Sequence, residues 1–518
     1  MQGETQPLEN SLPQTDKHHL GNTELHEEVQ TEHDDNLDVD VKSKDTQDLM
    51  SLTETFRKLK VKDIIIGKFS KKRKAPMRST PSSPIAPIVI TSPIAPTVTI
   101  SLVAPIETSI PSGSPLYNSS SDFDDAGNVG MSQQFYDFEA QKRLGLATSA
   151  CLNMHSIPNI ILERDDCYAS LWKKRCYNRL KLHLDKQFCS LPYMPQPSSA
   201  PTFIPKDGFL NYLDDYVNKF GLNPKCCRSV ESATYDHVEE KWLIRAVNII
   251  SNDIEMYKAE FLVVASGENS EAFIPDLPNL NCFKGEKVHS SQYKSGLKYA
   301  GKKVLVVGCG NSGMEIAFDL TNCGAKTSII VRNPVHTVTK EMVCLGMNLL
   351  KFFSVSVVDK LIATLESYWY GDLTKYGLPR PKLGPFFVKA RTGKSPVVDV
   401  GTVAKIKSGD IQVLPAIKKI EEEGMIGFEN GEILDFDAIV FATGYKSSAN
   451  TWLKDFNFIL NREGMPKHNF PSHWKGANGV YCAGLSQRGL AGVSKDAMTI
   501  SDDIKNSITR GKDNWTLN

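Results

Sequence analysis

GKKVLVVGCGNSGMEIAFDL, residues 301–320, decides the fold. An apolar run, Val304–Val307, leads into Gly308, Gly310 and Gly313, and a helical pattern follows from Met314. The spacing is G-x-G-x-x-G, with Asn311 and Ser312 in the turn. The first glycine permits the tight turn, and the second lets the backbone approach a pyrophosphate. The third lets helix and strand pack closely, while the helix N-terminus faces the anion. The six-residue pattern alone is a weak signal. A strand before it and a helix after it make it a dinucleotide site. The next apolar run, KTSIIVR, ends at Arg332, nineteen residues after Gly313. An acidic residue there would bond the free ribose hydroxyl of NAD. An arginine suits the 2′-phosphate of NADP, so NADPH is the expected cofactor. The alternative for Arg332 is a solvated strand-end charge.

A second unit lies upstream. QKRLGLATSACLNMHSIPNIILERDDC, residues 141–167, has a helical stretch over 143–155, a strand (IPNIILER) and a terminal acid. The three glycines of its loop are due at 140, 142 and 145. Only Gly145 is present, with Ala140 and Lys142 in the other places. Glu163 follows Gly145 by eighteen residues, the offset of a ribose-binding acid. The pattern is that of an adenine nucleotide site for FAD, the alternative for Glu163 being a solvated strand-end charge. The residues just before, FYDFEAQKR (135–143), are not an apolar strand. A central strand of a buried parallel sheet is therefore expected to be missing. Lys142 attracts a phosphate but does not restore the close backbone approach of a glycine. Weak FAD binding is the expectation.

The 518 residues carry a formal net charge of zero. Nothing global points to nucleic acid or a membrane surface. The eleven cysteines are scattered without a CxxC pair, so free thiols in a reducing, cytoplasmic setting are expected. The N-terminus has no apolar secretory core. Residues 343–365, the longest apolar stretch, are interrupted by Lys351, Asp359 and Lys360 and read as one amphipathic helix, not a membrane span.

Residues 1–135 differ from the rest. They are acid-rich over 1–48 and basic over 71–78 (KKRKAPMR), with Ser, Thr and Pro repeated over 79–115. Proline removes backbone donors, so the repeat is not expected to build ladders. Disorder is expected there, with a short helix around 49–60. The basic run is a solvated cluster or a nuclear address. From residue 136 onward apolar runs alternate with helical patterns. AEFLVVASG, KTSIIVR and FDAIVFATG read as buried parallel strands, and SVESATYDHVEEKWLIRAV reads as a hairpin or meander. The class is α/β, with two Rossmann-like dinucleotide-binding domains behind a disordered N-terminal region. The FAD domain is discontinuous (136–298 and 431–518) and the NADPH domain (299–430) is inserted into it.

FKGEKVHSSQY, residues 283–293, matches F-x-G-x-x-x-H-x-x-x-Y through Phe283, Gly285, His289 and Tyr293. With this motif just before the second fingerprint, the chain resembles the flavin-containing monooxygenases. SLWKKRCYNRLKLHLDKQFCSLPYMP, FLVVASGENSEAFIPDL, FATGY and GVYCAGLSQRGLAGVSKDA are similar to the plant YUCCA branch, the indole-3-pyruvate monooxygenases. The resemblance begins near Gly145 and covers roughly seven-tenths of the chain. Residues 1–135 resemble nothing in the family, as if unrelated sequence were joined to an N-terminally truncated monooxygenase.

The resemblance implies FAD and NADPH as cofactors, O2 and a 2-oxo acid as substrates, and auxin biosynthesis by oxidative decarboxylation of indole-3-pyruvate. It places Trp172 and Lys181 beside the flavin, although packing alone equally explains Trp172. It places Gly267, Thr443 and Gly444 in turns against the cofactors. It also puts Asp496 near the flavin, on a helix starting near Gly492; the alternative is a first-turn acid favoured by the helix dipole. His289 reads as an interdomain structural residue before an acid–base one. No catalytic side chain is expected, because in this chemistry the cofactors react and the protein orients them. A non-catalytic remnant that keeps NADPH binding is the alternative function. A flavin disulfide reductase is disfavoured by the absence of CxxC.

Overall fold

The computed structural model describes Thr99–Val103, residues 144–485 and residues 489–515. The disorder expected over the rest of 1–135, the helix at 49–60, the basic run 71–78 and FYDFEAQKR lie outside the described residues.

Among the described residues nine strands build two main sheets. In chain order they are β1 (Thr99–Val103), β2 (Asn159–Glu163), β3 (Phe261–Val264), β4 (Glu286–His289), β5 (Lys303–Val307), β6 (Lys326–Ile330), β7 (Ile411–Leu414), β8 (Ala438–Phe441) and β9 (Val480–Cys482). Two helices matter for the sites: α1 (Leu144–Met154), between β1 and β2, and α2 (Asn311–Asn322), between β5 and β6.

The larger sheet has the order β7-β6-β5-β8-β4 and is parallel throughout. Its central strands are continuous apolar runs because helices and loops cover both faces. Val304, Leu305, Val306, Ile439, Val440 and Phe441 have no exposed surface. It draws β4 from before residue 299 and β8 from after residue 430. β5 passes through the glycine turn into α2, which starts at Asn311, three residues earlier than the sequence pattern indicates. Gly310 is the helix cap, so the turn and the first helical residues overlap.

The smaller sheet has the order β9-β3-β1-β2. Here the structure corrects the sequence reading. The central place is filled, and by the Ser/Thr/Pro tract. β1 pairs with β2 (Thr99 opposite Glu163, Val103 opposite Asn159) and with β3 (Ile100 opposite Val264, Val103 opposite Phe261), antiparallel to both. β9 runs parallel to β3, so β1 alone runs backwards. The local sequence allows it. Residues 97–104, TVTISLVA, are the longest proline-free run in the tract and are dominated by β-branched residues. α1 lies against β2 and the C-terminal helix through its small residues; Ala147, Ala150 and Cys151 are fully buried.

A three-stranded meander of Arg228–Asp236, Lys241–Asn248 and Ile254–Ala259 follows the expected alternation, with Trp242, Ile244 and Ala246 inward. Residues 343–365 are not one helix but parts of two, Lys340–Leu349 and Val355–Tyr370. Ser354 stands extended at the start of the second, and Thr339 caps the first through a bond from the Met342 N–H (3.2 Å). Among the described residues no helix is long and apolar enough to cross a membrane. All eleven cysteines are free.

The chain crosses between the two sheets twice, after β3 and after β8. The crossings pair with each other as a short antiparallel ladder, Glu271–Ala272 with Tyr445–Lys446. Gly267, Thr443 and Gly444 lie on these crossings.

Candidate dinucleotide sites

The glycine turn after β5 divides its work as the pattern requires. Gly308 has φ +112°, and a Cβ there would stand 2.5 Å from the Ala442 carbonyl oxygen. A Cβ on Gly313 would overlap the Gly308 carbonyl oxygen and lie 2.9 Å from its carbon. Gly310 differs: its φ of −85° suits any residue, and a Cβ would meet nothing within 4 Å. Its glycine keeps space clear at the start of α2, where backbone N–H groups face outward and a pyrophosphate fits. Asn311 has its side chain engaged elsewhere. Oδ1 accepts from the Val398 N–H (2.7 Å) and Nδ2 donates to the Pro396 carbonyl (3.3 Å), which ties the turn to the Val397–Val398 strand. Arg332 stands two residues beyond β6, exposed, and among the described residues its guanidinium has no partner. A free cation at that strand end fits a 2′-phosphate.

Ser312 opens on a narrow cavity of about 30 Å³ that Leu171, Trp172, Cys176, Ser290 and Tyr445 also line. This cavity brings together the glycine turn, the 171–180 segment and the second crossing. Trp172 is fully buried and tilts onto Phe209 with ring centroids 4.9 Å apart. Lys181 is exposed, and its backbone forms a bridge with Pro205.

His289 is buried at the end of β4. Nδ1 accepts from the Ser291 N–H (3.2 Å), so the neutral ring carries its proton on Nε2 and donates to the Gly444 carbonyl (3.0 Å). Burial lowers its pKa from 6.5 to about 4. It holds the second crossing in place; the same carbonyl accepts from the Phe273 N–H (3.0 Å), and the Thr443 hydroxyl donates to the Phe273 carbonyl. Gly444 (φ +85°) and Gly267 (φ +73°) take the left-handed backbone that these bends need.

The other half is built differently. Gly145 is buried in the first turn of α1. Glu163 is buried at the end of β2, its Oε1 accepting from the Asp165 N–H (3.0 Å). Asp496 is corrected in position. The C-terminal helix begins at Gly489, so Asp496 lies about two turns inside it and is no first-turn acid. It is 2% exposed. Oδ2 accepts from the Gly484 N–H (2.9 Å), and Oδ1 meets His473 Nε2 at 3.1 Å. The two bonds fasten the helix to the loops on either side of β9.

The described residues do not fit the diphosphate of FAD. β1 ends beside Asn159, at the far end of β2 from Glu163, so its C-terminal end does not lie at the start of α1.

Sequence reasoning missed three buried pairs, His473–Asp496, His183–Glu315 (2.8 Å) and His336–Glu366 (2.8 Å). The second joins the 171–188 segment to α2. Glu315 amid Met314, Ile316 and Ala317 was a signal, since a charge at a core-facing helical position needs a partner. Its histidine, 132 residues away, carried none.

Two dinucleotide-type sheets joined by paired crossings, one with a complete glycine turn, define a two-domain nucleotide-dependent oxidoreductase. The chain belongs to the flavin-binding monooxygenase-like family, whose model matches residues 160–487. It is 54% identical over 370 residues to the probable indole-3-pyruvate monooxygenase YUCCA10 of Arabidopsis thaliana, covering 71% of this chain and 97% of that one. It is 45% identical over 376 residues to the indole-3-pyruvate monooxygenase YUCCA4 of Oryza sativa subsp. japonica, covering 70% and 84%. A flavin-containing monooxygenase from Stenotrophomonas maltophilia shares the fold, with a TM-score of 0.52 at 19% identity over 70% of this chain and 96% of that one. The class is oxidoreductase, and the family's cofactors are FAD and NADPH.

Proposed function

We propose that this chain is an NADPH- and O2-dependent monooxygenase of the plant indole-3-pyruvate branch, acting in the cytoplasm. The reaction is indole-3-pyruvate + NADPH + H⁺ + O2 → indole-3-acetate + CO2 + NADP⁺ + H2O. The observation that carries it is the complete glycine turn with a free arginine at the next strand end, in a chain 54% identical to a relative of that name. In this reading Gly308, Gly310, Gly313, Asn311 and Ser312 hold the NADPH pyrophosphate through their backbone. Arg332 holds its 2′-phosphate. Gly267, Thr443 and Gly444 shape the crossings against the cofactors, and Trp172 walls the cavity beside Ser312. Gly145, Glu163, Lys181 and Asp496 belong to the FAD side. The domains run 136–298 and 431–518 for FAD and 299–430 for NADPH, with β4 and β8 completing the second sheet.

One observation favours a second reading, an NADPH-binding protein without turnover: β1 is reversed where the FAD turn should begin. The test is the purified full chain supplied with FAD, NADPH and indole-3-pyruvate. NADPH consumption with matching indole-3-acetate by chromatography supports the first reading. NADP⁺ binding by calorimetry with no indole-3-acetate selects the second.

A further inference from the structure

We infer that Thr99–Val103 is a strand donated by the chain's own N-terminal region, and that while it fills the smaller sheet in reverse the chain binds NADPH but not FAD. The inference rests on the family reading above, because it concerns that family's flavin side; the turnover proposed there requires β1 to have left the slot.

The slot needs an occupant. Its walls are β2 and β3, and Ile161, Leu162, Leu262, Val263 and Val264 are all at most 3% exposed. Leaving it empty would strand two rows of buried backbone N–H and C=O groups, each carrying its full desolvation cost. Any proline-free extended run within reach gains by filling it, and 97–104 is such a run. Antiparallel pairing is slightly the more stable kind per residue, so nothing in the ladder itself opposes the reversal.

The consequence follows from comparing the two halves of one molecule. In the larger sheet β5 is parallel to β6, and its C-terminal end hands the chain directly to α2. The same unit on the flavin side needs a strand parallel to β2 that ends beside Glu163 and turns into α1. β1 instead pairs Thr99 with Glu163 and Val103 with Asn159. Asn159 follows the end of α1 by five residues. The chain therefore leaves β1 at the carbonyl end of α1, the wrong end for an anion. The Glu163 carboxylate beside Thr99 also accepts from its own chain at Asp165.

The full chain is mixed with excess FAD, passed through a desalting column and read at 450 nm. NADP⁺ binding is measured by calorimetry on the same sample. NADP⁺ binding with less than about one-tenth of a flavin per chain is expected, because β1 does not end where a strand leading into α1 would have to end. Near-stoichiometric flavin overturns the inference. Hydrogen exchange adds a folded-state readout. Amides of 99–103, 159–163 and 261–264 should be protected together, and Ser101→Pro should release all three, since proline cannot donate to a central strand. Unprotected 99–103 overturns it. Replacing residues 96–145 with an apolar strand and G-x-G-x-x-G joined to Leu146 should bring flavin to near one per chain. A replaced chain that keeps NADP⁺ affinity but gains no flavin overturns it as well. A replaced chain that is yellow yet makes no indole-3-acetate leaves this inference standing and sinks the substrate reading.

Discussion

Gly310 and Gly313 stand three residues apart in one turn and should fail in opposite ways. Gly310→Val places a side chain where nothing lies within 4 Å, on backbone with φ −85° and ψ −175°. Stability should change by no more than about 0.5 kcal/mol, as for an unstrained exposed site. Binding should suffer, because the side chain takes the space of the pyrophosphate. Losing two backbone bonds to a charged group, at about 1.5 kcal/mol each, weakens NADP⁺ binding by roughly 100-fold. Gly313→Ala pushes a methyl into the Gly308 carbonyl, 2.9 Å from its carbon and 3.4 Å from the Ala442 Cβ. Two of these three contacts are backbone, so nothing flexible can yield, and a loss of about 3 kcal/mol is expected. Calorimetry with NADP⁺ and thermal melts on both variants read the split. If Gly310→Val binds NADP⁺ as the parent does, the turn is not the pyrophosphate site. If Gly313→Ala melts with the parent, close helix–strand packing is not what the third glycine provides.

Arg332→Ala should erode the preference for NADPH over NADH by about ten-fold or more, since a charged hydrogen bond contributes about 1.5–3 kcal/mol; an unchanged ratio of dissociation constants removes Arg332 from the site. His289, with a folded pKa of about 4 against 6.5, makes stability fall with acid. The unfolded chain takes up the proton first as pH drops, so up to about 3 kcal/mol is lost between pH 6.5 and 4. His289→Gln should flatten urea midpoints over that window, and an unaltered slope would show that His289 is not the group responsible. Asp496→Ala leaves the buried Gly484 N–H and His473 without their acceptor and should cost about 2–4 kcal/mol by urea melts, with Asp496→Asn recovering part.

The NADPH half was legible because its information is local. Strand, turn, helix and Arg332 follow one another within thirty-odd residues, and only the approach of Ala442 to Gly308 and Gly313 comes from far along the chain. The crossings were half legible. Gly267 and Gly444 announced turns, but their pairing through Glu271–Ala272 and Tyr445–Lys446 joins segments far apart in sequence, as does the bond from His289 to Gly444. Asp496 was placed near the start of its helix because Gly492 reads as a helix break, yet the backbone is helical from Gly489 and the acid serves a distant histidine.

β1 is the case where composition pointed one way and the sheet another. Proline spacing argues against a ladder over most of the 79–115 tract, but it says nothing against the eight residues between Pro96 and Pro105. Their preference for extended backbone is generic, and many five-residue runs share it. What selects this run is a demand elsewhere, two buried strand edges more than fifty residues downstream that need hydrogen-bond partners. Such a demand fixes that a strand must come, and leaves its direction open, because both directions pair the edges. Direction is what the FAD diphosphate depends on. The fold of the flavin-side sheet can therefore survive the loss of its first strand while its cofactor turn does not, so the two halves of this molecule should part company in binding before they do so in stability.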